Sequence, residues 1–140
     1  MNKIIRKIQY SEKVYRFDVE APLIAKSRKA GNFVIIRVDA NSERMPLTIA
    51  DADIEKGTIT LVVQKVGLSS TKLCNLNEGD EIHDVVGPLG NPTHIENFGT
   101  VLCAGGGVGV APMLPIIKAL KAAGNRVLSV IAGRSKDLVI

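Results

Sequence analysis

The chain has 140 residues, 46% hydrophobic and 23% charged, and its 18 basic against 14 acidic side chains leave a formal net charge of +4. This is the composition of a soluble globular protein, neither disordered nor fibrous, and the longest apolar run, Val101 to Ile117, is broken by four glycines and two prolines and cannot span a membrane. Two isolated cysteines, Cys74 and Cys103, exclude a disulfide framework and a zinc or iron–sulfur centre held by this chain alone.

In chain order, Ile4 to Tyr10, Val14 to Glu20, Phe33 to Val38, Met45 to Ala50, Thr58 to Val66 and Ile82 to Val86 are rich in β-branched residues and partly alternate, which predicts six strands. Ala30-Gly31-Asn32, Ala40-Asn41-Ser42, Glu55-Lys56-Gly57 and Glu78-Gly79-Asp80 supply turns between them. Strands at this spacing predict an all-β antiparallel barrel or sandwich, interrupted by one short helix at Ser70 to Leu76 that Ser69 or Ser70 can cap. Gly87-Pro88-Leu89-Gly90-Asn91-Pro92 reads as a break, so residues 1–98 are expected to form the first domain.

From residue 99 the pattern becomes strand, glycine turn, helix, strand. Val101 to Ala104 is a short apolar strand, Gly105-Gly106-Gly107-Val108-Gly109 a turn, and Val110 to Ala123 a helix with Leu114, Ile117 and Leu120 on its inner face. Gly124 ends the helix and Arg126 to Ala132 forms a second strand, so residues 99–140 are expected to be one βαβ unit of an incomplete α/β domain.

Charge is segregated: +5 in residues 1–30, −5 in 31–100 and +4 in 101–140. With no Trp and 4% aromatics there is little to stack on bases, so local anion sites are favoured over nucleic acid. The N-terminus lacks the apolar core and cleavage site of a signal peptide, which makes the cytoplasm the expected compartment.

Three segments are candidates for chemistry. Glycine amides at the N-terminus of a helix can hold a phosphate, although Val110 stands where G-x-G-x-x-G has its last glycine and Gly133-Arg134-Ser135-Lys136 replaces the usual acid; tight packing explains the glycines equally well. Arg44-Met45-Pro46-Leu47-Thr48 places a cation on a strand. Gln64-Lys65-Val66-Gly67-Leu68-Ser69-Ser70-Thr71 runs a strand into hydroxyls that serve either a phosphate or a helix cap. Neither His83 nor His94 has ligand spacing, and no hydrolase motif occurs.

The order of these motifs, Arg-x-Pro-Leu-Thr, Ser-Ser-Thr, Gly-Pro-Leu-Gly-Asn and then Gly-Gly-Gly-x-Gly-x-Ala-Pro, resembles the ferredoxin–NADP reductase-like flavoproteins. Two branches are most similar: the dihydroorotate dehydrogenase electron-transfer subunit and the small subunit of NADH-dependent ferredoxin:NADP oxidoreductase, or sulfide dehydrogenase. Gln64 and Ser69-Ser70 depart from the former and lean toward the latter.

The resemblance implies a six-stranded Greek-key FAD-binding barrel followed by a truncated Rossmann-like βαβ unit. It implies that Arg44 pairs with the FAD diphosphate, that Pro46, Leu47 and Thr48 lie along the flavin and ribityl chain, that Gln64, Lys65 and Val66 contact the cofactor through backbone atoms, and that Ser69, Ser70 and Thr71 hold phosphate. Gly105, Gly106, Gly107, Gly109, Ala111 and Pro112 would receive the NAD(P)H diphosphate, with Arg134 beside the adenosine ribose and Asp137 near enough to oppose a 2′-phosphate. Hydride would pass from nicotinamide to FAD and single electrons onward to an iron–sulfur centre or ferredoxin, the protein supplying distance and orientation.

That implies an NAD(P)H-dependent flavin oxidoreductase working within a larger chain or complex, the iron–sulfur cluster lying in a further C-terminal part or a partner. No catalytic side chain, metal ligand, nucleic acid or membrane is expected. The alternative from another class is a regulatory or interaction module that keeps the fold without redox chemistry, including as a homodimer.

Overall fold

A computed structural model describes residues 2–140. Strands β1 (Asn2–Gln9), β2 (Val14–Glu20), β5 (Asp51–Asp53), β6 (Thr58–Gln64) and β7 (Glu81–Ile82) form one antiparallel sheet in the order β5-β6-β2-β1-β7. Strands β3 (Phe33–Arg37), β4 (Met45–Thr48) and β8 (Asp84–Leu89) form a second, with β3 in the middle. The first hundred residues therefore contribute eight strands in two sheets to the expected six, β5 being additional and the sixth dividing into β7 and β8.

Alternation explains the packing. Tyr15, Phe17 and Val19 of β2, Ile59, Leu61 and Val63 of β6, and Val34 and Ile36 of β3 all point into one core. Outward positions on β2 are polar: Arg16 forks onto Asp18, which also accepts the Thr60 hydroxyl from β6 at 2.7 Å. Two helices close the core. Helix α1 (Pro22–Ser27) contributes Ile24 and Ala25, and helix α2 (Leu68–Cys74) contributes Leu73 and Cys74.

Three local expectations change. Helix α1 replaces featureless chain: Pro22 starts it, its fixed φ suiting a first turn whose N–H groups have no intrahelical partner. The Gly87-Pro88 break is instead strand, because β8 lies at a sheet edge and runs through both residues to pair Leu89 with Phe33. Gly105 and Gly106 belong to strand β9 (Thr100–Gly106), paired with Ile131 and Ala132 of strand β10 (Arg126–Ala132) in a parallel ladder.

Between β9 and β10 come a 3₁₀ turn at Gly107–Gly109 and helix α3 (Val110–Ala122). Helix α3 covers one face of these two strands. Leu120 and Pro115 are buried and Ile117 is half-buried, whereas Leu114, expected on the inner face, is 39% exposed because so narrow a sheet cannot cover it. No helix among the described residues is long and apolar enough to cross a membrane.

Candidate functional site

Strand β4 is an edge strand, which admits Pro46 without loss of a ladder bond. Met45 and Leu47 pack on the core. The pleat therefore places Pro46 and Thr48 on the opposite face, and Arg44 immediately precedes the strand. The Leu47 side chain does not share that face, so Leu47 can offer a ligand only its backbone. Arg16, Arg28 and Arg37 each pair with an aspartate; Arg44 is exposed and takes part in no ion pair among the described residues.

The loop before Arg44 is held to α2. Lys72 Nζ of α2 lies 3.5 Å from Asp39 Oδ2 and 3.4 Å from Ser42 Oγ. The Ser42 hydroxyl, with help from the Asn41 N–H, keeps the Asp39 carboxyl below its ordinary range. At its other end α2 is anchored by Lys7, whose Nζ donates to the Cys74 carbonyl at 2.7 Å, a cation at a helix C-terminus.

At the start of α2 the N-cap is Gly67, not a serine. Ser70 is buried, and its hydroxyl accepts the N–H groups of Val66 and Gly67 at 2.9 and 3.0 Å while donating to the Gly67 carbonyl. Its hydroxyl is committed to the turn rather than turned toward a phosphate. Ser69 and Thr71 are half-buried, with no hydrogen-bond partner for either hydroxyl among the described residues. Gln64 and Val66 are exposed, while the Lys65 N–H donates to the Lys13 carbonyl at 2.7 Å and ties the end of β6 to the β1–β2 hairpin.

The glycine run divides by what a side chain would meet. A Cβ on Gly105 would stand 3.2 Å from Met113 Cε, so this glycine lets α3 pack on β9. Gly107 has φ +56, a conformation glycine adopts at little cost. Gly106 and Gly109 have neither constraint: an added Cβ would meet ordinary contact at 3.6 Å in one and open space in the other. Room therefore lies over the turn at the first residues of α3, where Ala111 and Pro112 sit half-buried. Free amides and a helix N-terminus facing unfilled space suit a diphosphate.

A cleft of about 720 Å³ joins the two parts of the chain. Gln64 and the hairpin residues Tyr10 to Val14 form one wall; Gly107, Val108 and Arg134 form the other. It opens at the C-terminal ends of β9 and β10, the edge at which parallel sheets bind ligands. The exposed Arg134 and Asp137 both line it, and the Ser135 hydroxyl keeps the Asp137 carboxyl below its ordinary range. Arg44, Pro46, Thr48, Ser69 and Thr71 do not line this cleft. The hairpin wall was not anticipated, since a polar turn between two strands carries no ligand signature.

A second cleft of about 700 Å³, also unanticipated, brings Arg28, Lys29, His94 and Lys118 beside Pro115. Cys74 is buried and Cys103 half-buried, and burial pushes the Cys74 thiol up. Among the described residues no group of three or more His, Cys, Asp or Glu side chains could hold a metal.

No family model matches the chain. It is 47% identical over its full 140 residues to the "Dihydroorotate dehydrogenase B (NAD(+)), electron transfer subunit homolog" of Thermotoga maritima, covering 50% of that protein. A solved structure of an NADH-dependent reduced ferredoxin-NADP oxidoreductase, described in terms of flavin-based electron bifurcation, superposes with a TM-score of 0.97 at 47% identity, over 100% of this chain and 51% of that one. Phthalate dioxygenase reductase shares the fold at 20% identity and a TM-score of 0.82, over 99% of this chain and 45% of that one. The chain spans about half the length of the curated relatives it matches. The whole length of the chain aligns with such proteins, and its fold is that of the ferredoxin reductase-like superfamily.

Proposed function

We propose that these 140 residues are the flavin-binding part, and the beginning of the nicotinamide-binding part, of an NAD(P)H-dependent electron-transfer subunit. The observation that carries the reading is the 720 Å³ cleft, in which Gln64 from the flavin motif faces Gly107 and Arg134 from the nucleotide motif. Residues 1–98 are read as a Greek-key barrel made from the two antiparallel sheets, and 99–140 as the first βαβ of a Rossmann-like unit.

The residues present fit both cofactors in kind. On the flavin side, Arg44 is an exposed guanidinium without a carboxylate partner among the described residues, next to the strand that carries Pro46 and Thr48, and Lys72 ties its loop to α2. Arg44 would neutralise the FAD diphosphate, the Ser69 amide and the hydroxyls of Ser69 and Thr71 would complete its coordination, and Thr48 would hydrogen-bond near the ring. On the nucleotide side, Gly106, Gly107 and Gly109 would admit the NAD(P)H diphosphate to the start of α3, and Arg134 would border its adenosine ribose.

A flavin bound here would accept a hydride from reduced nicotinamide and release electrons singly. The chain's own part is to fix both molecules, keep the cleft narrow and balance phosphate charge. An iron–sulfur centre in a further part of the polypeptide or in a partner, or a ferredoxin, would take the electrons. The name of the Thermotoga relative favours a larger dehydrogenase as that partner, whereas the solved structure favours ferredoxin:NADP chemistry.

The test is spectroscopic. Full-length protein should purify yellow, release FAD on heating and bleach anaerobically with NADH or NADPH. A colourless protein that takes up no added FAD would sink the proposal.

A further inference from the structure

We propose that the segment from Gly90 to Gly99 is a rigid strap, and that Asn125 is the positioning residue that holds its far end and so sets the width of the 720 Å³ cleft. The proposal rests on reading that cleft as the place where nicotinamide meets flavin. The strap is the only covalent link between β8 and β9 and consists mainly of exposed residues, the usual marks of a flexible tether. Its hydrogen bonds show the opposite.

At the near end, Asn32 is 6% exposed. It accepts the Lys29 N–H at 2.8 Å and donates to the carbonyls of Leu89 and Gly90, each at 3.1 Å. Thr93 N–H donates to the Ala30 carbonyl at 2.9 Å. Gly31, at φ +92, lies against Thr93 so closely that a Cβ would stand 2.5 Å from Thr93 Oγ1. The strap is thus seated on the antiparallel sheets as far as Thr93.

At the far end, Asn125 is also 6% exposed and every polar position of its side chain is used. Its oxygen accepts the N–H groups of Phe98 at 2.7 Å and Gly99 at 3.1 Å; its nitrogen donates to the carbonyls of Glu96 at 2.8 Å and Leu120 at 2.9 Å. One side chain therefore binds three strap residues to the last turn of α3. A network satisfied in this way resists opening, because taking it apart leaves the buried Asn125 amide unpaired.

Only His94 and Ile95 separate Thr93, the last residue held by the sheets, from Glu96, the first held by Asn125. Ile95 is half-buried in the separate 700 Å³ cleft beside Pro115, and Lys118 of α3 reaches Asp51 of β5 at 2.9 Å near the same junction. Two residues leave little freedom to swing, and Pro92 with its fixed φ stands just before Thr93. The walls carrying Gln64 and Gly107 are consequently held at a set separation before any ligand enters, which spares binding the cost of closure.

Hydrogen exchange on the wild-type, full-length protein tests the strap directly. The Thr93, Phe98 and Gly99 amides should exchange at least tenfold more slowly than unprotected chain, despite the exposure of these residues; exchange at unprotected rates would overturn the proposal. Asn125→Ala should release the Phe98 amide, whereas the Gly99 amide, which also donates to Asn97 Oδ1 at 3.0 Å, should keep part of its protection. A Gly-Gly insertion between His94 and Ile95, which leaves every bond of Asn125 intact, covers the case in which Asn125→Ala fails to fold.

In the insertion variant the NADH dissociation constant should rise about tenfold if the productive width is then populated about one-tenth of the time. ADP-ribose, which on this reading needs only the glycine turn and Arg134, should bind within twofold of wild type. NADH affinity unchanged by the insertion would refute the positioning role, whereas absence of flavin would count against the functional reading and leave the exchange test intact.

Discussion

The hydroxyl of Ser70 accepts the N–H of Val66 at 2.9 Å, closing the turn that delivers β6 into α2. Ser69 and Ser70, adjacent and chemically alike, therefore have different tasks. Ser70→Ala should cost about 1–2 kcal/mol of stability, the usual penalty for a lost helix-start hydrogen bond at a buried position. Ser69→Ala should leave the melting temperature unchanged and weaken FAD. Equal loss of stability in both variants would remove the distinction.

Arg44 separates binding from stability in the same way. It has no carboxylate partner and packs on nothing in the core, so Arg44→Met should change stability by less than about 0.5 kcal/mol. Losing a charge-assisted bond to a diphosphate should raise the FAD dissociation constant roughly ten- to a hundredfold. Flavin fluorescence titration alongside thermal melts decides it; a destabilised variant with normal affinity would assign Arg44 to the fold.

The glycine turn yields a graded series. Gly107→Ala would force a side chain into the left-handed region at a cost of about 1–2 kcal/mol. Gly105→Ala would press on the flexible end of Met113 and destabilise mildly. Gly109 has φ −63 and space around it, so Gly109→Ala should hold stability or raise it by about 0.4–1 kcal/mol while weakening NADH binding. Calorimetric titration with NADH, paired with melts, should order the three variants differently by affinity than by stability.

The loop before Arg44 should respond to acid. Because hydrogen bonds hold the Asp39 carboxyl below its ordinary value of 3.8, its contribution is fully present above that value and disappears as pH falls through the lower folded value. Wild type should therefore melt above Asp39→Asn at neutral pH, and the gap should close in acid. A gap independent of pH would show that the Asp39–Lys72 contact contributes nothing through charge.

Much of this was legible in the sequence because it rests on short-range pattern. Val14–Glu20 and Arg126–Ala132 emerge with the expected limits, since β-branched alternation and an apolar run bounded by turns are strong signals. Helix α1 was illegible: six residues after Ala21 offer no side-chain cap and less than two turns of periodicity. Gly87-Pro88 resembled a turn because tolerance of proline depends on lying at a sheet edge, a fact of topology.

The candidate site divides similarly. The sequence proposes Arg44, Thr48 and the glycines as site residues, but Leu47 turns inward through the pleat and the Ser70 hydroxyl is consumed by capping, and both outcomes depend on coordinates. The hairpin wall at Tyr10 to Val14 and the four-bonded Asn125 join residues far apart in the chain, so no local motif announces them.

The two kinds of glycine in the β9–α3 turn also provide a way to read diverged copies of this fold. Gly105 and Gly107 are demanded by packing and backbone angle, and they should persist wherever the architecture does. Gly106 and Gly109 answer to no such constraint, and on the proposed function it is a nucleotide that keeps them bare. On that proposal, a descendant with side chains at those two positions and glycine at the others would be an intact scaffold without nucleotide binding.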